Sequence, residues 1–136
     1  MGAGVDHIIV NVNDYAAAKK FYAWLMPQIG YPKAMSYDQA DTDVTTGYFG
    51  DHGSLWIRPS DPEFRRDTFH RHRVGLCEIA FAAESRQQID DLAAKISSNG
   101  GKVTDPPREY DYLPGYYAVF FTDPDGLKLE LVHVPR

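Results

Sequence analysis

The chain has 136 residues, 43% hydrophobic and 24% charged, a length and balance that fit one domain able to bury a core without disulfides or structural metals. No apolar run approaches the ~20 residues a bilayer-spanning helix needs, and a formal net charge of −5 argues against a nucleic-acid binder, so neither membrane insertion nor DNA or RNA is expected. The N-terminal "MGAGVDHIIV" lacks the basic region and apolar core of a signal peptide, and Cys77 is the single cysteine, so the expected location is cytoplasmic.

The first strand reads "VDHIIVNVND". Ile8, Val10 and Val12 share one face and His7, Ile9 and Asn11 the other, the period-two pattern of a strand. In "DYAAAKKFYAWLM", Asp14 is placed to cap a helix whose stripe is Ala18, Phe21, Tyr22 and Leu25. Pro27 is expected to end it, and Gly30 to turn the chain. "PKAMSYD", "TTGYFG" and "SLWIRP" read as three short strands separated by "QADTD" and "GDHG". Residues 59–74, rich in Pro and Arg, show no periodicity and read as a loop. Within it "RRDTFHRHR" is a basic cluster interrupted by Asp67, best read as a solvated loop, although His70 to Arg73 are placed to meet an anionic substrate.

The pattern then restarts. "LCEIAFAA" is a strand in which Cys77 is expected to pack inside, with Glu78 on the opposite face. Ser85 and Gln88 form a capping box, Ile89, Leu92, Ala93 and Ile96 the helical stripe, and Gly100 and Gly101 the stop. "KVTDP", "YYAVFFT" and "LKLELVHV" complete the strands, with "DPDG" at 123–126 as a turn that requires no catalytic role for Asp123 or Asp125. His7 to Glu78, Asp14 to Ser85 and Gly30 to Gly101 are all steps of 71 residues, the mark of an internal duplication. The expectation is an α+β fold of two tandem βαβββ modules, about 4–60 and 75–135, within a single domain spanning 1–136. One helix covers only one face of each sheet, so His7, Glu78 and Glu130 belong to faces that must enclose a cavity or find a partner.

The paired modules, the opening "DHIIVNVND…FY" and the closing "DPDGLKLELVH" resemble the vicinal oxygen chelate superfamily, which includes glyoxalase, bleomycin resistance proteins, fosfomycin resistance transferases, methylmalonyl-CoA epimerase and extradiol dioxygenases. The resemblance covers nearly the whole chain. It implies a curled mixed-sheet cup, often completed in a homodimer, with a divalent metal (Mn, Fe, Co, Ni or Zn) on its floor. The implied ligands are His7, Glu78 in place of a more usual histidine, and Glu130, with Glu130 and Glu78 also the implied proton-moving groups. A fourth ligand would fall near Trp56, which cannot ligate.

Phe120, Ala118 and Tyr116 share a face that carries hydroxyl side chains in fosfomycin enzymes. Together with Trp56 they make the implied substrate pocket more apolar and aromatic. Three protein ligands leave positions open for substrate oxygens, as a Lewis-acid catalyst needs. The implied function is a glyoxalase-like, metal-dependent lyase or isomerase acting on a small oxygenated molecule. The alternative is a metal-free drug-binding module of the bleomycin-resistance type, which the 13% aromatic content permits. An extradiol dioxygenase fits less well, because only His7 matches the two histidines of the usual iron set. Without the resemblance, His7 reads as a strand-edge histidine bonded to backbone, and Glu130 as the solvent-facing acid of a half-exposed strand. His133, of opposite parity to Glu130, is not assigned as a ligand.

Overall fold

The computed structural model describes residues 2–37 and 44–136. The linker "QADTD" and Asp38, which closes the expected second strand, lie outside these. The chain divides into two compact units, 1–67 and 68–136, and each is a four-stranded mixed sheet carrying one α-helix, an α+β arrangement.

In the first unit the elements are β1 (His7–Val12), α1 (Tyr15–Gln28), β2 (Lys33–Tyr37), β3 (Thr45–Gly50) and β4 (Gly53–Pro59), with sheet order β1-β4-β3-β2. β1 runs parallel to β4 and the other neighbours are antiparallel. The alternation in β1 is borne out: Val10 and Val12 are buried, whereas His7, Ile9 and Asn11 are exposed. Phe21, Tyr22, Leu25, Tyr48, Leu55 and Ile57 complete this core, all at 2% exposure or less. Pro27 does not end α1 but sits in its last turn, where the helix runs on to Gln28 and closes with the Ile29 amide on Met26 O. The φ that the proline ring fixes is itself helical, and this near the end of the helix its missing N–H removes only one bond.

Asp14 caps α1 by accepting from the Ala17 amide at 3.0 Å. Asp14→Ala is therefore expected to cost about 1 kcal/mol of stability, read as a lowered denaturant midpoint at unchanged slope.

The second unit repeats the plan with β5 (Ile79–Ala82), α2 (Arg86–Ala93), β6 (Lys102–Glu109), β7 (Tyr117–Thr122) and β8 (Lys128–His133), in order β5-β8-β7-β6. Ser85 caps α2 by accepting from Gln88 N at 3.0 Å, and the Gln88 side chain accepts from Glu84 N at 2.8 Å. Ile89, Leu92 and Ile96 are buried, as are Phe121 of β7 and Leu129 and Leu131 of β8, and α2 packs on β6, β7 and β8. The 71-residue step survives in space: α1 begins at Tyr15 and α2 at Arg86.

Two further expectations are corrected. β5 begins at Ile79 rather than Leu76, so Cys77 lies before the strand and is exposed instead of packed. β6 extends past "KVTDP" to Glu109 because it is an edge strand, where Pro106 and Pro107 cost no shared ladder bond on the open side and register shifts absorb them. The 59–74 loop contains a 3-10 turn, Pro62–Phe64. "DPDG" is structural, as expected: Asp123 is 3% exposed and its Oδ1 accepts from the amides of Asp125 and Leu127, both at 2.9 Å.

Candidate functional site

Strand register puts Glu130 in the second unit, and His7 and Trp56 in the first, on the sheet faces opposite the residues buried on the helix side; Glu78 lies just before β5, outside the ladder. In the second unit Glu130 pairs with Ala80 of β5 on one side and Phe120 of β7 on the other. Phe120, Ala118 and Thr122 therefore share the face of Glu130, and Leu129, Leu131 and His133 point to the α2 side, as parity predicts. His133 Nδ1 lies 3.2 Å from Ala83 O, a structural role. In the first unit Ile9 pairs with Trp56, and Trp56 with Gly47. Superposing the repeat puts Trp56 where Glu130 stands and Gly47 where Phe120 stands, so the acid of the second unit is answered by an indole in the first.

Glu130 is 2% exposed. The Tyr116 hydroxyl donates to its Oε1. Burial pushes the carboxyl above the usual range and neighbouring Glu78 pushes the same way, while the Tyr116 hydrogen bond and Lys128 oppose them. Burial is also the first reason the Tyr116 hydroxyl holds its proton well above the ordinary phenol range, followed by its bond to Glu130. Tyr116→Phe removes one of the two influences that lower the Glu130 pKa. The Glu130 titration, followed by carboxyl carbon NMR, is expected to move to higher pH in this variant.

Glu78 meets Lys128 Nζ through Oε2 at 3.3 Å, as a partly buried ion pair without hydrogen-bond alignment. Glu78 Oε2 is thus buried with a positive neighbour but no hydrogen-bond donor among the described residues. Lys128 also lies over the Phe120 ring, 4.7 Å from its centroid. Sequence reasoning did not single out Lys128 as a site residue. The signal was its parity: two residues before Glu130 on one strand means the same face.

Tyr110 was read only as part of the aromatic content. Its hydroxyl is buried with no hydrogen-bond partner among the described residues, and burial is the main influence raising its pKa. It stacks on Tyr112 (centroids 5.4 Å apart, planes 3° apart) and stands edge-on to Phe120 at 5.4 Å, with the Arg108 guanidinium 3.8 Å from its own centroid. Ala118 and Phe120 are buried, at 0% and 7% exposure.

In the first unit His7, Asp6, Ile9, Phe49, Ser54 and Trp56 line a cleft of about 370 Å³. His7 Nδ1 is 2.6 Å from Asp6 Oδ1. A carboxylate can only accept, so Nδ1 is the donor of this pair, and in the neutral ring Nε2 carries the lone pair, the arrangement that orients a ligating imidazole. Trp56 stacks on Tyr37 at 6.0 Å, meets Phe49 edge-on at 5.1 Å and donates through Nε1 to Ser54 Oγ at 3.0 Å. Gly47 makes room for it: a Cβ there would fall 2.6 Å from the indole.

The structure brings Glu78 and Glu130 into one electrostatic neighbourhood with Tyr116 and Lys128. His7 and Trp56 share the cleft of the first unit. Among the described residues no three His, Cys, Asp or Glu side chains form a ready-made metal group. The donor types nevertheless fit a divalent ion: an imidazole with a free Nε2, a carboxylate oxygen lacking a donor, and a buried acid whose charge is under-compensated.

These features define a chain of the glyoxalase type, and comparison agrees. The sequence model of the Glyoxalase/Bleomycin resistance protein/Dioxygenase superfamily matches residues 4–131, and the chain belongs to that superfamily. It is 33% identical over 129 residues to the uncharacterized protein YqjT of Bacillus subtilis (strain 168), covering 94% of this chain and 97% of that one. Among solved structures it resembles a glyoxalase/bleomycin resistance protein from Albidiferax ferrireducens T118, with TM-score 0.75 and 28% identity over 96% of this chain and 98% of that one. The fosfomycin resistance protein FosX from Mesorhizobium loti shares the fold, with TM-score 0.65 and 18% identity over 96% of this chain and 91% of that one. No helix among the described residues is long and apolar enough to cross a membrane.

Proposed function

We propose that the protein is a metal-dependent glyoxalase-type enzyme, a lyase or isomerase acting on a small oxygenated molecule, in the cytoplasm and as a homodimer. His7, Glu78 and Glu130 would hold a divalent ion of the Mn, Fe, Co, Ni or Zn group. When bound, such an ion supplies Lewis acidity to substrate oxygens. The observation that carries this reading is Glu130: an acid at 2% exposure, raised in pKa by burial and set beside Glu78, whose Oε2 lacks a donor. Buried carboxylates of this kind are costly unless a cation or a proton compensates them.

The chain's own groups then divide the work. Glu78 or Glu130 takes up and returns a substrate proton, and the pKa of Glu130, raised by burial, suits it to this task. Tyr116 fixes Glu130 through its hydrogen bond and keeps its own proton. The Tyr110 hydroxyl, buried and protonated, is available to donate to an oxygen on which negative charge develops. Phe120, Ala118 and Trp56 provide apolar surface that keeps water from the reacting atoms.

A second reading has its own support. The Lys128 ammonium already neutralises Glu78, and the Tyr37, Phe49 and Trp56 cluster offers a stacking surface. Both suit a metal-free binder of flat aromatic molecules, of the bleomycin-resistance type. Elemental analysis of protein purified without chelator separates the two. The enzyme reading expects about one divalent metal per site. Protein that stays metal-free after incubation with Mn, Fe, Co, Ni and Zn contradicts it and favours the binder.

A further inference from the structure

The 68–73 turn, a sequence feature the proposed chemistry does not use, folds against the second unit's sheet. With the starts of β6 and β8 and the end of β7 it encloses a cleft of about 370 Å³. Four of its lining side chains are cations or can become so: His70, Arg71, His72 and Lys128. Thr104 and Thr122 add hydroxyls, and Asp105 is the acid on this wall.

The turn is built. Arg73 N donates to His70 O at 3.1 Å, and Arg73 Nη1 donates to Thr68 O at 3.0 Å. The His72 amide donates to His70 Nδ1 at 3.2 Å, which sets the proton of neutral His70 on Nε2 and makes that nitrogen a donor. The His70 and His72 rings lie 5.5 Å apart. In a chain of net charge −5, convergence of a guanidinium, an ammonium, two imidazoles and two hydroxyls on one cleft runs against the overall electrostatics.

We infer that this cleft binds a small oxoanion, the carboxylate or phosphate group of the substrate. Arg71 offers a planar pair of donors that matches either group, and Lys128 a point charge. Lys128 also pairs with Glu78 and lies two residues before Glu130, so an anion held here is anchored next to the acids proposed to move protons. The anion's assignment to the substrate rests on the functional reading above, whereas the anion site itself does not. Asp105 and Glu78 reduce the net positive charge, so a lone anion is expected to bind with a Kd on the order of 1–10 mM.

The test is titration of metal-free protein with inorganic phosphate and, in a parallel arm, acetate, followed by proton–nitrogen NMR of the backbone amides and imidazoles. The expected result is saturable shifts at His70, His72 and Gly126 with at least one probe; the arm that saturates at lower concentration identifies phosphate or carboxylate as the preferred group. Arg71→Gln, an exposed position, and Lys128→Met should each weaken that binding at least 5-fold. No saturable shift with either probe, shifts mapping elsewhere, or unchanged affinity in Arg71→Gln overturns the site. Metal content measured on separate samples of the same preparations tells this failure apart from failure of the functional reading: loss of anion binding with metal loading intact removes only the cleft.

Discussion

Replacing Glu130 with glutamine should weaken divalent-metal binding roughly 100-fold or more, since it removes a charged ligand outright and even partners of ligands commonly contribute 10–100-fold. Gln keeps the size of the side chain and an oxygen to accept from Tyr116, so the fold should persist. In metal-free protein the sign of the stability effect reverses. The folded-state pKa of Glu130 is raised above its unfolded value, chiefly by burial. Its contribution to stability is therefore fully present below the unfolded pKa and is lost as pH rises through the folded pKa. Glu130→Gln has no proton to lose, so its stability should fall less than that of the wild type over this window and match or exceed it at higher pH. Saturating metal at about 100 times Kd should add about 2.7 kcal/mol to the wild type and little to the variant. Thermal melts with and without metal, at several pH values, check both halves. A variant that loads metal like the wild type removes Glu130 from the ligand set.

Phe121→Ala is expected to have the largest effect on stability. Phe121 is fully buried in β7, opposite Leu129 of β8, on the face that α2 covers. Truncation leaves a large cavity in the core of the second unit and should cost about 3–5 kcal/mol. Against a total of about 5–15 kcal/mol this is enough to leave part of the population unfolded near 37 °C. Urea unfolding reads the loss directly. An effect below about 1 kcal/mol would mean that β7 is not the centre of this core. The consequence for the site is immediate, because the neighbouring residue on the other face of β7 is Phe120, the strand partner of Glu130.

Alternation in β1, the Asp14 and Ser85 caps and the 71-residue repeat were legible in the sequence because each is a local pattern with a strict period or offset. The resemblance implied a fourth ligand position near Trp56, and in the strand register Trp56 opposite Ile9 corresponds to Glu130 opposite Ala80. Cys77 was misread because an apolar run was extended back through Leu76; a strand needs a partner, and the parallel pairing with β8 begins only at Ile79 opposite Leu129. The Lys128 pairing with Glu78 and the unpartnered Tyr110 hydroxyl depend on side-chain directions across strands, which no period along the chain records. His7 was legible as a residue of an uncovered face. Its orientation by Asp6 had only adjacency as a signal, and adjacent residues on a strand ordinarily point apart.

The central claim is that His7, Glu78 and Glu130 are ligands of one divalent ion. Its most direct measurement is a crystal structure of protein grown with Mn or Zn, with diffraction recorded on both sides of the metal's absorption edge. The prediction is a single anomalous peak per site, ligated by His7 Nε2 and carboxylate oxygens of Glu78 and Glu130, with Lys128 moved away from Glu78. Absence of a peak, or one ligated by other residues while the Glu78 to Lys128 ion pair persists, contradicts it.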